Sequence, residues 1–326
     1  MNVLITGMNG FVGRALCPEL LRYGHSVRGA LRQNEGKPAL MGGGELVVVG
    51  TISAATDWKD ALAGCDVIVH LAARVHVMDE KASDPLAEFR EANTEGTLNL
   101  ARQAVHAGVK RFVFISTIKV NGEGRDEPYL ETDVAAPEDA YAISKWEAEQ
   151  GLHRIAQKTG LEVVILRPPL VYGPGVKANF LRLMQWVKKG WPLPLGAIRN
   201  RRSLLYLGNF VDAIRLCVEH PAATGQTFLL DDGQPVSTPE LIRAVADALH
   251  RPAHLLPVPV GLLRLAGWVT GKSAAVSRLT DSLHVDSQAI RKRLGWVPPY
   301  SLQEGLATTV AAFVHDRVSA RSTVKS

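Results

Sequence analysis

The sequence predicts a doubly wound parallel α/β sheet followed by a smaller mixed α/β domain. Three observations carry that expectation. Short, wholly apolar runs alternate with segments of helical spacing through the first half of the chain. The helical segments close on glycines. The alternation then dissolves after Arg167, where Pro168, Pro169, Pro174, Pro192 and Pro194 punctuate the chain. Strands that are apolar along their whole length are those covered on both faces. Strict strand–helix alternation calls for a parallel sheet with right-handed crossovers.

Each element follows from its residues. Val3-Leu4-Ile5-Thr6 is a short apolar strand ending at a glycine. Val12–Tyr23 places Val12, Leu16, Leu20 and Leu21 at helical spacing and stops at Gly24. Ser26–Leu31 forms a second strand, and Leu46–Val49 a third, closed by Gly50. Trp58–Ala63 is a short helix ending at Gly64, and Asp66–Ala72 a fourth strand. Pro85–Ala107 reads as one long helix ending at Gly108, and Arg111–Ser116 as a fifth strand. Ala140–Thr159 is a second long helix, ending at Gly160, and Val163–Leu166 a sixth strand. Glycine just past a helix suits the left-handed turn that closes it. The change of rhythm sets a boundary near residue 170. Residues 1–170 form the first domain and 171–326 the second; residues 204–222 are candidates to rejoin the first.

Composition excludes several classes. The 326 residues are 46% apolar and 21% charged, which suits a globular protein of one or two domains and excludes disordered and collagen-like chains. The net charge of +5 is small and spread out, so it favours anionic small molecules and argues against nucleic acid as a partner. Cys17, Cys65 and Cys217 lie far apart, with no Cys-x-x-Cys, so neither a disulfide framework nor a zinc knuckle is expected. His250 and His254 are separated by Pro252, which argues against a metal site. Met1 runs straight into a strand with no leader-like pattern, so a cytoplasmic location is expected. Leu255–Thr270 is the most apolar later stretch, but Pro257, Pro259 and Arg264 interrupt it, so no membrane span is expected. It reads as a helix lying on the protein body, with a membrane-surface helix as the less favoured alternative.

Thr6-Gly7-Met8-Asn9-Gly10-Phe11-Val12-Gly13 joins the first strand to the first helix. Gly7 permits a tight turn, Gly10 lets backbone amides approach a pyrophosphate, and Gly13 lets the helix pack closely on the strand. The helix N-terminus then offers partial positive charge to the phosphates. The acidic residue that selects NAD is absent from the end of the second strand. Arg32 follows that strand instead. A guanidinium there accepts a 2′-phosphate or stacks on adenine, which tilts cofactor choice slightly toward NADP over NAD; the bland alternative is a solvated surface charge.

Tyr141 and Lys145 stand four apart at the start of a long helix, on one face. A phenol of pKa ~10 needs a neighbouring ammonium to serve as an acid–base group near neutrality. Ser116 and Thr117 sit at the carboxyl end of the strand Phe112–Ile115, where open parallel sheets bind ligands. Thr117 is the expected hydrogen-bond partner of the substrate oxygen that Tyr141 protonates. The alternative is that Ser116 and Thr117 only satisfy strand-end backbone groups.

At this point the chain resembles a family. The glycine turn, Asp66-x-x-x-His70-Leu71-Ala72-Ala73, Asn93-x-x-Gly96-Thr97-x-Asn99-Leu100, Ser116-Thr117-x-x-Val120-x-Gly122, Tyr141-x-x-x-Lys145 and Arg167-Pro168-x-x-Val171-Tyr172-Gly173-Pro174-Gly175 occur in order. Together they resemble the extended short-chain dehydrogenase/reductases, the group of nucleotide-sugar epimerases, dehydratases and reductases. The resemblance implies a Rossmann core binding a dinucleotide, a C-terminal substrate domain and often a homodimer through two core helices. It makes Thr117, Tyr141 and Lys145 catalytic and Asn93 a brace for the site. Gly7, Gly10, Phe11, Val12 and Gly13 would cradle the pyrophosphate; Leu71, Ala72, Ala73 and Pro168 would line the cofactor. Family dehydratases often carry Asp-Glu after the catalytic Thr. Ile118 and Lys119 stand there instead, which disfavours dehydration. Asn121 replaces a tyrosine of the same motif, and Thr51 replaces an aspartate expected to touch adenine.

Arg199–Ser203 resembles the family segment that grips a nucleotide diphosphate, the match falling on Arg202. Arg278 is a candidate second clamp and Asn179 a candidate substrate contact; each has an exposed charge or a cap as its alternative. The loops Ser116–Glu123 and His70–Met78 most resemble bacterial reductases of UDP-linked 4-keto-6-deoxy-N-acetylhexosamines in surface-polysaccharide synthesis. The expected function is therefore NAD(P)H-dependent reduction of the 4-keto group of a UDP-linked sugar. The first alternative is an NAD-dependent 4-epimerase with tightly bound cofactor. A non-catalytic dinucleotide sensor and a sterol- or flavonoid-type reductase come after it; the paired acid–base disfavours the first and the Arg202 cluster the second.

Overall fold

In a computed structural model, the chain is described over residues 1–33, 44–75 and 84–322. The end of the His70–Met78 loop, beyond Val75, lies outside the described residues. Six strands appear in the first half: β1 (Asn2–Thr6), β2 (Ser26–Leu31), β3 (Glu45–Val48), β4 (Val67–His70), β5 (Arg111–Ile115) and β6 (Glu162–Arg167). Later come β7 (Leu170–Tyr172), β8 (Leu204–Tyr206) and β9 (Thr227–Leu229). Seven strands build one parallel sheet in the order β3-β2-β1-β4-β5-β6-β9. The direction of winding reverses between β1 and β4, in register with Thr6 opposite His70. At such a reversal the helices on the two sides diverge and leave a crevice at the carboxyl ends of the strands, which is where ligands bind.

The central strands are buried because helices cover both faces. On one face, Leu16 and Leu20 of the Phe11–Arg22 helix share a core with Phe210, Ile214 and Val218 of the Leu207–Glu219 helix. On the other, Trp58, Leu100, Ala104 and Leu152 pack on Phe112 and Phe114. A third core, around Phe180, Met184, Ile242, Val245 and Val310, belongs to the C-terminal part.

Two elements differ from the sequence expectation. The expected Pro85–Ala107 helix contains a π-helical turn at Arg90–Glu95, between α-helices Pro85–Phe89 and Gly96–His106. Its cause is tertiary: Asn93 is drawn into hydrogen bonds with Arg74 and Ser144. The strand Leu204–Tyr206 pairs in parallel with Leu170–Tyr172 rather than entering the main sheet. The chain then returns: the Leu207–Glu219 helix packs on the first helix, and the short β9 adds to β6.

Candidate active site

The glycine turn is built by close approach. A Cβ on Gly13 would lie 2.5 Å from the Gly7 carbonyl oxygen and 2.6 Å from Met8 Cα, so only glycine fits. Gly7 has φ +69°, and a Cβ there would meet the Ala72 nitrogen at 2.9 Å, so the turn packs directly on the exit of β4. Gly10 donates its N–H to the Gly7 carbonyl at 3.0 Å and caps the Phe11–Arg22 helix without any side-chain bond. The first turn of that helix holds no acid. Its amides and positive end therefore remain free to meet a phosphate, and the cradle fits a dinucleotide.

The other wall is the segment Leu71–Ala73, half-buried after β4. Ala72 donates its N–H to Thr6 Oγ1 at 3.2 Å. His70, fully buried, bridges Thr6 and Thr97 at 2.7 and 2.9 Å. Burial, followed by the charge of Lys145, pulls its pKa down to about 3, so it is a neutral strut and not an acid–base group. Asn93 accepts from the Arg74 N–H at 2.8 Å and donates to the Arg74 carbonyl and to Ser144 Oγ. It thereby ties the exit of β4 to the helix that carries Tyr141. Arg32 lies exposed after β2 and donates to Thr51 Oγ1 at 3.2 Å.

Tyr141 and Lys145 lie on the helix Ala140–Thr159, whose N-cap Asp139 accepts from the Ala142 N–H at 2.7 Å. Thr117 follows β5 and opens a 3-10 turn at Ile118–Val120. Pro168 is buried opposite it, its carbonyl accepting the Ile118 N–H at 3.1 Å. Three links hold this segment along the helix. Lys145 Nζ donates to the Ile115 carbonyl at 2.7 Å, Ser116 Oγ donates to Glu149, and Lys119 Nζ pairs with Asp139 at 2.7 Å.

The charges differ from the simple Tyr–Lys picture. Burial lowers Lys145 to about 7, against a smaller upward pull from Glu149. Burial and then the Asp139 carboxylate push Tyr141 up to about 12. Lys145 bonds a backbone carbonyl, not the phenol, so by itself it does not lower the Tyr141 pKa. A further positive charge is needed at the site before the phenolate becomes accessible near neutrality.

The candidate substrate residues occupy different settings. Arg202 is half-buried. Its guanidinium donates to the Asp281 carbonyl at 3.0 Å and has no carboxylate bonded to it among the described residues. Burial lowers its pKa, with Asp281 and Glu123 opposing, so it lies within electrostatic reach of the loop after Thr117. A half-buried guanidinium paired mainly with a carbonyl is suited to an incoming diphosphate. Asn179 and Arg278 are exposed, and no bond of theirs joins them to Tyr141 or Thr117.

Two groups were missed from sequence. Glu149 is completely buried and forms an ion pair with Arg167, which also donates to Asn121 Oδ1 at 3.0 Å. Its four-residue step from Lys145 on the helix was the available signal. The second group is Lys119 with Asp139 and Glu123, which ties the loop after Thr117 to the N-cap of the helix that carries Tyr141. Among the described residues, no cluster of His, Cys, Asp or Glu could hold a metal ion.

The chain is 49% identical to the UDP-glucose 4-epimerase of Vibrio cholerae over 317 residues, which covers 96% of this chain and 95% of that one. It is 29% identical to the N-acetyl-alpha-D-glucosaminyl-diphospho-ditrans,octacis-undecaprenol 4-epimerase of Escherichia coli O157:H7, over 96% of each chain. The crystal structure of a UDP-glucose 4-epimerase from Thermotoga maritima with UDP-glucose shares the fold, with TM-score 0.76 at 24% identity, covering 97% of this chain and 100% of that one. Residues 3–230, from β1 through β9, match one family throughout, and the chain belongs to the NAD dependent epimerase/dehydratase family.

Proposed function

We propose that the chain is an NAD-dependent 4-epimerase of a UDP-linked hexose. The observation that carries this is the end-to-end 49% identity to a UDP-glucose 4-epimerase. The more distant relative is also a 4-epimerase, acting on a different diphosphate carrier. Reduction of a 4-keto sugar would use the same Thr117, Tyr141 and Lys145, so those residues do not separate the two activities. The relatives favour the epimerase, which was the alternative from sequence. NAD, as in the family's description, is preferred here over the NADP suggested by Arg32.

In this reading Tyr141, as the phenolate, takes the proton of the sugar 4-hydroxyl and later returns it to the same oxygen, once the sugar has turned its other face to the hydride donor. Thr117 steadies that oxygen, and Lys145 holds ribose. Bound at the glycine turn, oxidised NAD supplies hydride acceptance and return, and a positive charge that favours the Tyr141 phenolate. Arg202 anchors the diphosphate, so that the sugar can turn while its carrier stays fixed. Glu149, Arg167 and Asn93 fix the positions of the helix and the strand ends. The helices Gly96–His106 and Ala140–Thr159 form a shallow groove lined by Leu98, Val105, Gly151 and Ile155, which we take as the face of a homodimer, to be checked by light scattering.

The test is to denature the purified protein and quantify released NAD, then to incubate the native protein with UDP-glucose without added cofactor. Stoichiometric NAD and formation of UDP-galactose are expected. Protein that arrives empty, leaves UDP-glucose unchanged and oxidises NADPH or NADH with a UDP-4-keto sugar would replace this reading with the reductase.

A further inference from the structure

We propose that the helix hairpin Val260–Thr280 seats this protein on an anionic lipid surface. The helix Val260–Val269 buries only Gly267. Leu262, Leu265, Trp268 and Val269 are 57, 56, 74 and 70% exposed. A helix this apolar normally lies inside a protein or against a membrane, not in water. Its one charge, Arg264, is tied to Asp281 at 2.9 Å. Gly267 lets the second helix, Ser273–Thr280, lie against the first: a Cβ on it would stand 2.7 Å from Val276 Cγ2. The hairpin is thus a built element that presents its apolar face outward.

Exposed apolar side chains also stand just before the hairpin, and on the segment paired with that stretch. Leu256 is 50% exposed and Trp191 55%. The segments that carry them are joined by backbone bonds from the Leu193 N–H to the His254 carbonyl and from the Leu256 N–H to the Leu193 carbonyl. Lys189 Nζ lies 4.6 Å from the Trp191 ring, a tryptophan–lysine pair of the kind that suits the headgroup level of a bilayer.

Charge decides what covers this face. Residues 177–199 and 248–280, the segments around Trp191 and the hairpin, contain nine Lys and Arg and no Asp or Glu, while the chain as a whole is only +5. The rest of the chain is therefore net acidic. Lys272 and Arg278, on the hairpin, are paired with no carboxylate among the described residues. Apolar side chains flanked by unpaired cations match an anionic lipid surface, where insertion and electrostatic attraction add. A second copy of the chain would instead bring two sets of like charges together. The helix lies on the surface and does not cross it: no helix among the described residues is long and apolar enough to span. The hairpin also borders the candidate substrate arm, since it runs directly into Asp281, whose carbonyl accepts from Arg202.

The experiment is flotation of the purified full-length protein with vesicles of phosphatidylcholine alone, or with about one-third phosphatidylglycerol. Binding is expected to the anionic vesicles, to weaken at about 0.5 M salt, and to fall about tenfold or more in Leu265→Glu and Trp268→Glu. Both residues are exposed, so the thermal midpoint and the turnover of a soluble UDP-sugar should not change. The proposal is overturned if wild-type protein does not float with anionic vesicles, or if both variants float as well as wild type. It is also overturned if the substitutions only dissolve a concentration-dependent oligomer, which would make a second copy the occupant.

Discussion

Replacing Glu149 with glutamine tests the network that holds the site together. The carboxylate is completely buried and the Arg167 side chain is only 5% exposed. The substitution keeps the shape and an acceptor for Ser116 but leaves the guanidinium without its counter-charge. Breaking a buried ion pair from one side costs about 3–5 kcal/mol. For a chain of this length, about 2 °C per kcal/mol is expected, so the thermal midpoint should fall by about 6–10 °C. Circular dichroism at increasing temperature reads this directly. Replacing both partners, Glu149→Leu with Arg167→Met, removes the stranded charge and should recover a large part of the loss. A second consequence reaches the chemistry. Glu149 raises the pKa of Lys145, so without it Lys145 loses its proton at lower pH, and activity should decline earlier on the alkaline side. A midpoint within about 2 °C of wild type would show that Arg167 is adequately solvated or paired elsewhere and would refute the argument.

Tyr141→Phe should lower turnover by about 10²-fold or more, the usual contribution of a positioned acid–base group, while cofactor binding, read by nicotinamide fluorescence, persists. Gly13→Ala forces a methyl into the Gly7 carbonyl at 2.5 Å, so the turn must open, and the protein should be recovered without bound NAD. Burial depresses Lys145 from 10.5 to about 7 in the folded protein. The unfolded chain therefore binds more protons between those values, and this group makes stability rise with pH across that window. The midpoint of wild type should gain on that of Lys145→Met as pH is raised above neutrality; parallel curves would mean that Lys145 is not depressed.

The inner strands β1, β4, β5 and β6 are legible in the sequence because they are covered on both faces and so appear as largely apolar runs. Val3–Thr6 and Phe112–Ile115 can hardly be read otherwise. The candidates Thr117, Tyr141 and Lys145 are legible because a strand end, a helix start and a four-residue step are local patterns. Glu149 is not, since an acid on a long helix reads as solvated until Arg167 on β6 is known to face it. The π-helical turn is hidden for the same reason. Arg90–Glu95 is an ordinary helical sequence, and only the distant partners of Asn93 make it bulge. The strands β7, β8 and β9 span three residues each, too few for periodicity to reveal their pairing.

That bulge limits how the protein can be re-engineered. A π-turn carries one residue more than the α-helix it interrupts, and each residue rotates the remainder of the helix by about 100°. Deleting a residue to regularise the helix would turn Thr97 away from His70 or Asn93 away from Ser144, because the two contacts lie on opposite sides of the insertion's phase. Idealised backbone, the usual route to a hardier scaffold, is therefore closed at this place. Stabilising substitutions belong elsewhere, on the solvent side of the same helix, where phase carries no contact.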